Sequence, residues 1–479
     1  MASNPELASL PQKRLRLMKG FDAYPTIDPV TPVIEVSQGN ARRTEALDLL
    51  GITEQLIHAH TPELGLSPDS TIKTRNLLEA AEVTASLEED PSRMINTALG
   101  FLPKERIFPD SNLTSSWYHA AKVEAIAGNF DAALSRSQIA SRKASGDPWP
   151  VRDMIPFIAK AGGDPDPFIE MAVDLTNTYK PRAFTLTLSE KVSDSTQMSA
   201  VLLEIGRDPE VWLKKSIEDA EGLTGDSTYH FGTISNILGS LGRFDEAAAY
   251  IQKIQLRNPR YTKGSQLRAN AQLAYKMFDA GLKDEGLALA TKNDLQETVI
   301  NMQLKTALEN AVLGKNIDHA LSEALTRIPS LQDSESPWTI PPLQSILHSR
   351  IGRIAAIAGQ DPEQHFTQAI ALAEASYTRV RSDAFAHIVR DMTASGIDST
   401  LLHLNAVAMA QNPGELEDLH EAALDNGNFV LALMTEELLP KFRREDEDKK
   451  WDLMIDEWEI HFMLDRARAL ALHSYTPQQ

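Results

Sequence analysis

Apolar residues along most of this chain recur every three or four positions, in runs broken by glycine and proline. The pattern is plainest between Phe231 and Pro259. Ile234, Ile237, Leu238 and Leu241 share one face of a first segment, and Ala247, Ala248, Ile251 and Ile254 share one face of a second. That spacing predicts two amphipathic helices, and Leu241-Gly242-Arg243 predicts the tight turn between them. Asn258-Pro259 then reads as the close of the unit, because proline cannot continue a helix and biases the residue before it away from helical angles.

The same reading extends along the chain. Residues 1–40 carry several prolines and no helical period, which predicts an extended or poorly ordered segment; Lys13, Arg14, Arg16 and Lys19 within it fit a solvated tail, a targeting or docking motif being the alternative. Residues 41–114 read as a helical region. Its first helix carries Leu47, Leu50 and Ile57, Thr61-Pro62 and Ser67-Pro68 interrupt it, and a second starts at Ser70 or Thr71 as cap and stops near Pro91. From Trp117 onward glycines mark the turns of helical hairpins: Gly128, Gly162, Gly206, Gly242, Gly281, Gly314, Gly359, Gly396 and Gly427, at successive spacings of 31 to 45 residues. Periods of this size belong to stacked helical pairs. The longer intervals contain 173–194, read as an insertion, and 328–342, read as a surface loop. The expectation is an all-α fold, with a repeat array over 115–440.

The details of several units resemble the tetratricopeptide-repeat family in a degenerate form. Trp117, Ala121, Gly128, Phe130 and Ala133 follow that family's order of bulky residue, small residue, turn glycine, aromatic and helix-B alanine. Phe231, Ser235, Gly242, Phe244, Ala247 and Pro259 follow it again. The Gly281 unit keeps Ala274, the Gly314 unit keeps Ala307, and 427–429 repeats Gly-Asn-Phe with Ala432 in register. The resemblance implies a right-handed α-solenoid of stacked antiparallel helix pairs. Small residues at Ala121, Ser235, Ala274, Ala307 and Gly352 would let each first helix approach its neighbour, and Trp117 and Phe231 would fill the space beside them.

Residues 441–479 open with the mixed charge run KFRREDEDKK around them and continue into a helical pattern with Trp451, Met454, Ile455, Trp458 and Phe462 on one face. Repeat arrays need a cap over the last exposed face, and this helix is the candidate; a homo-dimer through the same helix is the alternative.

Composition narrows the partners. The formal net charge of -20 repels phosphate backbones and anionic lipid, so nucleic acid and membranes are not expected partners. With no cysteine there is no disulfide, thiolate nucleophile or cysteine-ligated metal. No apolar h-region follows the N-terminal basic cluster, and no run of 18 apolar residues occurs, so the expected location is cytoplasmic.

A search for chemistry finds no phosphate-binding GxxxxGK[ST], no GxGxxG after a strand pattern and no GxSxG. Histidines occur singly. Asp164 and Asp166 sit in a turn, and Asp448, Asp452 and Asp456 share a helix face as surface acidity. No catalytic residue, metal or cofactor is assigned.

In the resembled family the first helix of each pair lines a concave groove that takes a peptide or a partner helix. Offsets from the turn glycines place Tyr118, Lys122, Tyr229, Asn236, Arg268, Tyr275, Arg353 and Arg390 on that face. Basic and aromatic groups gathered on one face of an acidic protein suit an acidic or carboxylate-bearing peptide. The lysine–asparagine clamp of the family's chaperone-binding members is incomplete, because Gly232 stands where the lysine before Asn236 would be. The expected function is a protein–protein interaction scaffold. An enzyme on a helical toroid or solenoid (lyase or transferase) and a peptide-sensing regulator are the alternatives.

Overall fold

The computed structural model describes residues 39–59, 69–102, 111–178, 188–223, 228–256, 258–331, 340–376, 378–410, 413–425, 428–436, 438 and 460–470. Most of the N-terminal segment, Gly427, the charge run after Pro440, and Trp451, Met454, Ile455 and Trp458 lie outside them. Among the described residues every regular element is helical and none is a strand.

The helices in order are α1 (Gly39–Ala59), α2 (Asp69–Ser86), α3 (Ser92–Gly100), α4 (Ser111–Ile126), α5 (Phe130–Lys143), α6 (Trp149–Arg152), α7 (Met154–Lys160), α8 (Asp166–Thr178), α9 (Leu188–Glu204), α10 (Glu210–Ala220), α11 (His230–Ser240), α12 (Phe244–Gln252) and α13 (Pro259–Asp279). They continue with α14 (Lys283–Lys292), α15 (Gln296–Leu313), α16 (Asp318–Arg327), α17 (Ile340–Ile357), α18 (Glu363–Glu374), α19 (Thr378–Ala394), α20 (Thr400–Met409), α21 (Pro413–Asp425) and α22 (Phe429–Glu436). Residues 460–470 form α23. The chain divides into two compact units, Arg43–Lys276 and Met277–Gln479 with Met1–Arg42, and the division falls inside α13 and inside the array expected over 115–440.

The hairpin turns share one local cause. Gly128, Gly162, Gly206, Gly242, Gly281, Gly314, Gly359 and Gly396 all have φ between 71° and 90°. In each, the N–H of the residue after the glycine reaches back to the carbonyl five positions earlier, as from Arg243 to Leu238 at 2.9 Å and from Gln360 to Ala355 at 2.8 Å. This is the Schellman closure, which needs a left-handed residue that glycine adopts without a Cβ penalty. After five of these turns the next helix is started by an aspartate or asparagine side chain. Asp164, Asp208, Asn316, Asp361 and Asp398 each accept the backbone N–H two residues on, at 2.7 to 3.0 Å. Asp164 is therefore a helix cap.

Several boundaries differ from those expected. Pro259, read as the stop of one unit, is the first residue of α13, where its missing N–H has no intrahelical partner to lose. The second helix begins at Asp69, ahead of Ser70 and Thr71. The insertion expected over 173–194 is mostly helix, being the end of α8 and the start of α9.

In the unit 43–276, α4 packs against α5, α9 against α10 and α11 against α12, while α2 also packs on α4 and α9 on α11. A shared core of Ala121, Ala133, Met154, Ile158, Phe168 and Met198 joins α4 to α9. Phe130 lies across the backbone of the next turn, so that a Cβ at Gly163 would come within 2.7 Å of its ring. In the unit 277–479, α15, α17, α19 and α21 each pack on the next of the series, and each also packs on the helix that follows it. Gly352 lets α17 meet α18, since a Cβ there would stand 3.0 Å from the ring of Phe366. Phe462 of α23 is buried in the core of α19 and α21 and stacks on His420 at 4.4 Å. The described part of the C-terminal helix is thus covered within its own unit. No helix among the described residues is long and apolar enough to cross a membrane.

Ala121, Ala247, Ala274 and Ala307 are fully buried and Ser235 is 1% exposed. Added bulk has no room at such a site. Ala247→Leu should lower stability by about 1–3 kcal/mol through overpacking. Gly242→Ala, which forces a side chain into left-handed geometry, should lower it by about 1–2 kcal/mol. Urea denaturation followed by far-UV circular dichroism measures both, and an unchanged midpoint for Ala247→Leu would contradict the packing.

Candidate functional site

The best-formed neighbouring pair among the groove candidates is α11 and α13, both in the unit 43–276. Two glycines hold them together. A Cβ at Gly232 would stand 3.9 Å from Ala269 Cβ, and one at Gly239 would stand 3.1 Å from Leu273 and 3.7 Å from Lys276. The contact advances in the same direction along both helices, so they run parallel at close approach. Gly232, which removes the expected clamp lysine, therefore has a packing role.

Around this contact lie four of the sequence-predicted residues. Tyr229, at the start of α11, is 53% exposed and its ring sits 4.0 Å from that of His230. Burial holds the His230 imidazole below its ordinary pKa, so it is neutral at pH 7. Asn236 is half-buried, and its backbone carbonyl accepts the Ser240 hydroxyl at 3.0 Å. Arg268 is exposed, one residue before Ala269. Tyr275 is half-buried and is engaged within the chain.

The other four candidates are held by packing. Tyr118 meets Trp149 edge-on at 5.1 Å and borders the core of its unit; burial, with Asp153 nearby, pushes its hydroxyl well above the usual tyrosine range. Lys122, one turn on, lies 5.1 Å over the ring of Phe157. Arg353 is 6% exposed and pairs with Asp391 at 3.3 Å, while the same carboxylate accepts the Ser349 hydroxyl at 2.8 Å. This corrects the expectation that Arg353 lines an open groove: it joins α17 to α19. Arg390 donates to Asp425 at 2.7 Å and lies 3.7 Å from Glu421, tying α19 to α21. Arg353 and Arg390 belong to the unit 277–479 and the other six to the unit 43–276.

Sequence reasoning did not anticipate the polar seam that contains those two arginines. Arg350, buried on α17, donates to Asn301 of α15 at 2.9 Å. His387 of α19 lies 3.6 Å from Asp383, and burial together with Arg390 and Arg350 lowers its pKa, so it is neutral at pH 7. Burial raises the carboxyls of Asp383, Asp418 and Glu421, and Ser382 donates to Asp418 at 2.8 Å. Glu417 is pushed up to about 7 by burial, then by Glu421, Asp465 and Asp418. The partners that meet across the seam lie on different helices of the stack, as Arg350 with Asn301 and Ser382 with Asp418 do, so no local motif announced them. Of these groups Glu417 is the one whose surroundings place its proton exchange near neutrality. Among the described residues no group of three or more histidines and carboxylates is arranged to hold a metal ion.

No family model matches the chain, and no curated protein matches it.

The seam gives a pH dependence of definite sign. The folded-state pKa of Glu417 lies above its unfolded value of 4.5, so the folded protein binds the proton more tightly. Stability should rise as pH falls from about 8 toward 5. Glu417→Gln should stabilise the protein at pH 8 by roughly 1–2 kcal/mol, once the linkage value is reduced for solvent screening. The same substitution should flatten the slope. Thermal melts of both proteins at pH 5, 6.5 and 8 measure it, and parallel pH profiles would contradict the assignment.

Proposed function

We propose that the chain is an interaction scaffold. In this reading it is a tetratricopeptide-like, right-handed α-solenoid of stacked antiparallel helix pairs. It works in the cytoplasm without catalysis and holds a peptide or a helix of a protein partner along the first helices of its pairs. The observation that carries the proposal is the parallel contact of α11 and α13. It fixes two helices rigidly over Gly232 and Gly239 while leaving Tyr229 and Arg268 exposed beside the contact. A rigid surface loses little freedom on binding, and tyrosine and arginine are the residue types that most often dominate interface energetics. Nearest-neighbour packing within each unit supports the solenoid, because it is what stacked pairs produce.

A second reading is supported by a different observation. Glu417, with a pKa near neutrality beside Asp418, Glu421 and Asp465, is the kind of proton-exchanging group that an enzyme on this scaffold would use. The seam's arginines are already tied to carboxylates that link successive helices, which favours a packing role for them and the scaffold as the main reading.

The test uses exposed residues, so that binding and folding separate. Tyr229→Ala combined with Arg268→Ala should weaken capture of a partner by about 2 kcal/mol or more if both are hot spots, and leave the circular dichroism spectrum unchanged. Tyr275 is left in place because it is half-buried. Co-purification followed by mass spectrometry reads the result. Equal capture by both proteins would move the site away from α11 and α13.

A further inference from the structure

The first turns of α13 carry features that the fold itself does not call for. The helix has 21 residues against 11 in α11, and its contact with Gly232 begins only at Ala269. The turns before that contact are exposed at Arg260, Tyr261, Lys263 and Gly264, with Tyr261 at 66%. They are nevertheless held in place. Thr262 exchanges hydrogen bonds with the backbone of Leu256 at 2.8 and 3.1 Å, and the Gln266 amide donates to the Ile254 carbonyl at 3.1 Å.

Two of these features work against the helix itself. Gly264 is a glycine in mid-helix, where alanine is the better helix former. Its backbone angles do not demand glycine, and nothing lies within 4 Å of where a Cβ would be. Arg260 and Lys263 stand near the positive end of the helix dipole, which favours acidic residues, and the first turn has none. Lys263, Arg268 and Lys276 make no ion pair with a carboxylate among the described residues. From Ala247 to Phe278 the sequence holds six lysines and arginines and no aspartate or glutamate, in a chain of net charge -20. Local choices that work against the fold mark places where something other than stability was selected.

Tyr261, Gly264, Arg268 and Gln272 follow one another at three- and four-residue steps, so they form one exposed stripe over about three helical turns, roughly 17 Å. We propose that this stripe docks an acidic peptide segment of a partner protein, with the peptide backbone passing over the notch at Gly264. Tyr261 packs beside it, and Arg268 meets its carboxylates. This deepens the scaffold reading and rests on it, while moving the contact onto the N-terminal overhang of α13. A short acidic segment suits the stripe better than nucleic acid. The cations occupy one short stretch and do not track a phosphate backbone, and the remainder of the chain repels a long polyanion.

The probe is a fluorescein-labelled hexa-aspartate peptide flanked by glycines, titrated with the full chain and read by fluorescence anisotropy. Binding is expected at low salt and should weaken as ionic strength rises. Arg268→Glu should weaken it by about tenfold or more. Gly264→Ala should raise the melting temperature yet weaken binding by roughly three- to tenfold, because the added methyl fills the notch. Gly51→Ala, at another exposed helical glycine with open space around it, should raise the melting temperature and leave binding unchanged. Affinity that is equal in wild type and Gly264→Ala, or indifferent to Arg268→Glu, would overturn the proposal. So would absence of binding, or a preference for a twelve-thymidine oligonucleotide over the peptide. The readout is affinity for a free peptide, so it stands apart from partner capture by the Tyr229 variant, and the two readings can fail separately.

Discussion

The described hairpins from Gly128 to Gly396 depend on one backbone conformation, the left-handed residue that ends a helix. Glycine supplies it at eight described turns, from Gly128 to Gly396. There the chain reverses, two end carbonyls are satisfied and the following helix leaves on the far side. Where glycine is missing, Glu88, Ser145 and Asp294 take the same conformation at φ of 60°, 66° and 56°. They do so at some strain, since side chains fit that region poorly. Within each unit the turns bring successive helices side by side, and Gly163, Gly239 and Gly352 mark close approaches where a side chain would meet a neighbour.

The turns and the buried alanines were legible in the sequence because both are local requirements. A glycine between two helical periods, or an alanine at a fixed offset from it, means the same thing wherever the pair is placed. The aspartates after the turns were equally legible in principle. Gly206-Arg207-Asp208-Pro209 and Gly359-Gln360-Asp361-Pro362 repeat one another, and Asp164-Pro165 follows Gly163. The proline fixes the first helical residue while the aspartate caps it.

What the sequence did not disclose was which polar residue on a helix meets water and which meets the next helix. Arg353 and Arg268 were assigned by the same rule of offsets, yet the first is buried against Asp391 and the second is exposed. The difference lies in Asp391, on a helix that begins 25 residues beyond Arg353 in sequence and is adjacent only after stacking. Tyr118 likewise meets a partner distant in sequence, since Trp149 is brought to its ring beyond the turn at Gly146. Charge was the less reliable guide, because an arginine can link two helices as readily as it can face a ligand.

The seam around Glu417 also alters what the protein's acidity means. A formal charge counts every carboxylate as ionised. At pH 7 a group with a pKa of about 7 is half neutral, and Asp383, Asp418 and Glu421 are shifted in the same direction. Glu417 therefore keeps part of its proton at a pH where an ordinary carboxylate has finished titrating. Unstacking the helices that bury it would release that proton, so the local charge depends on the packing.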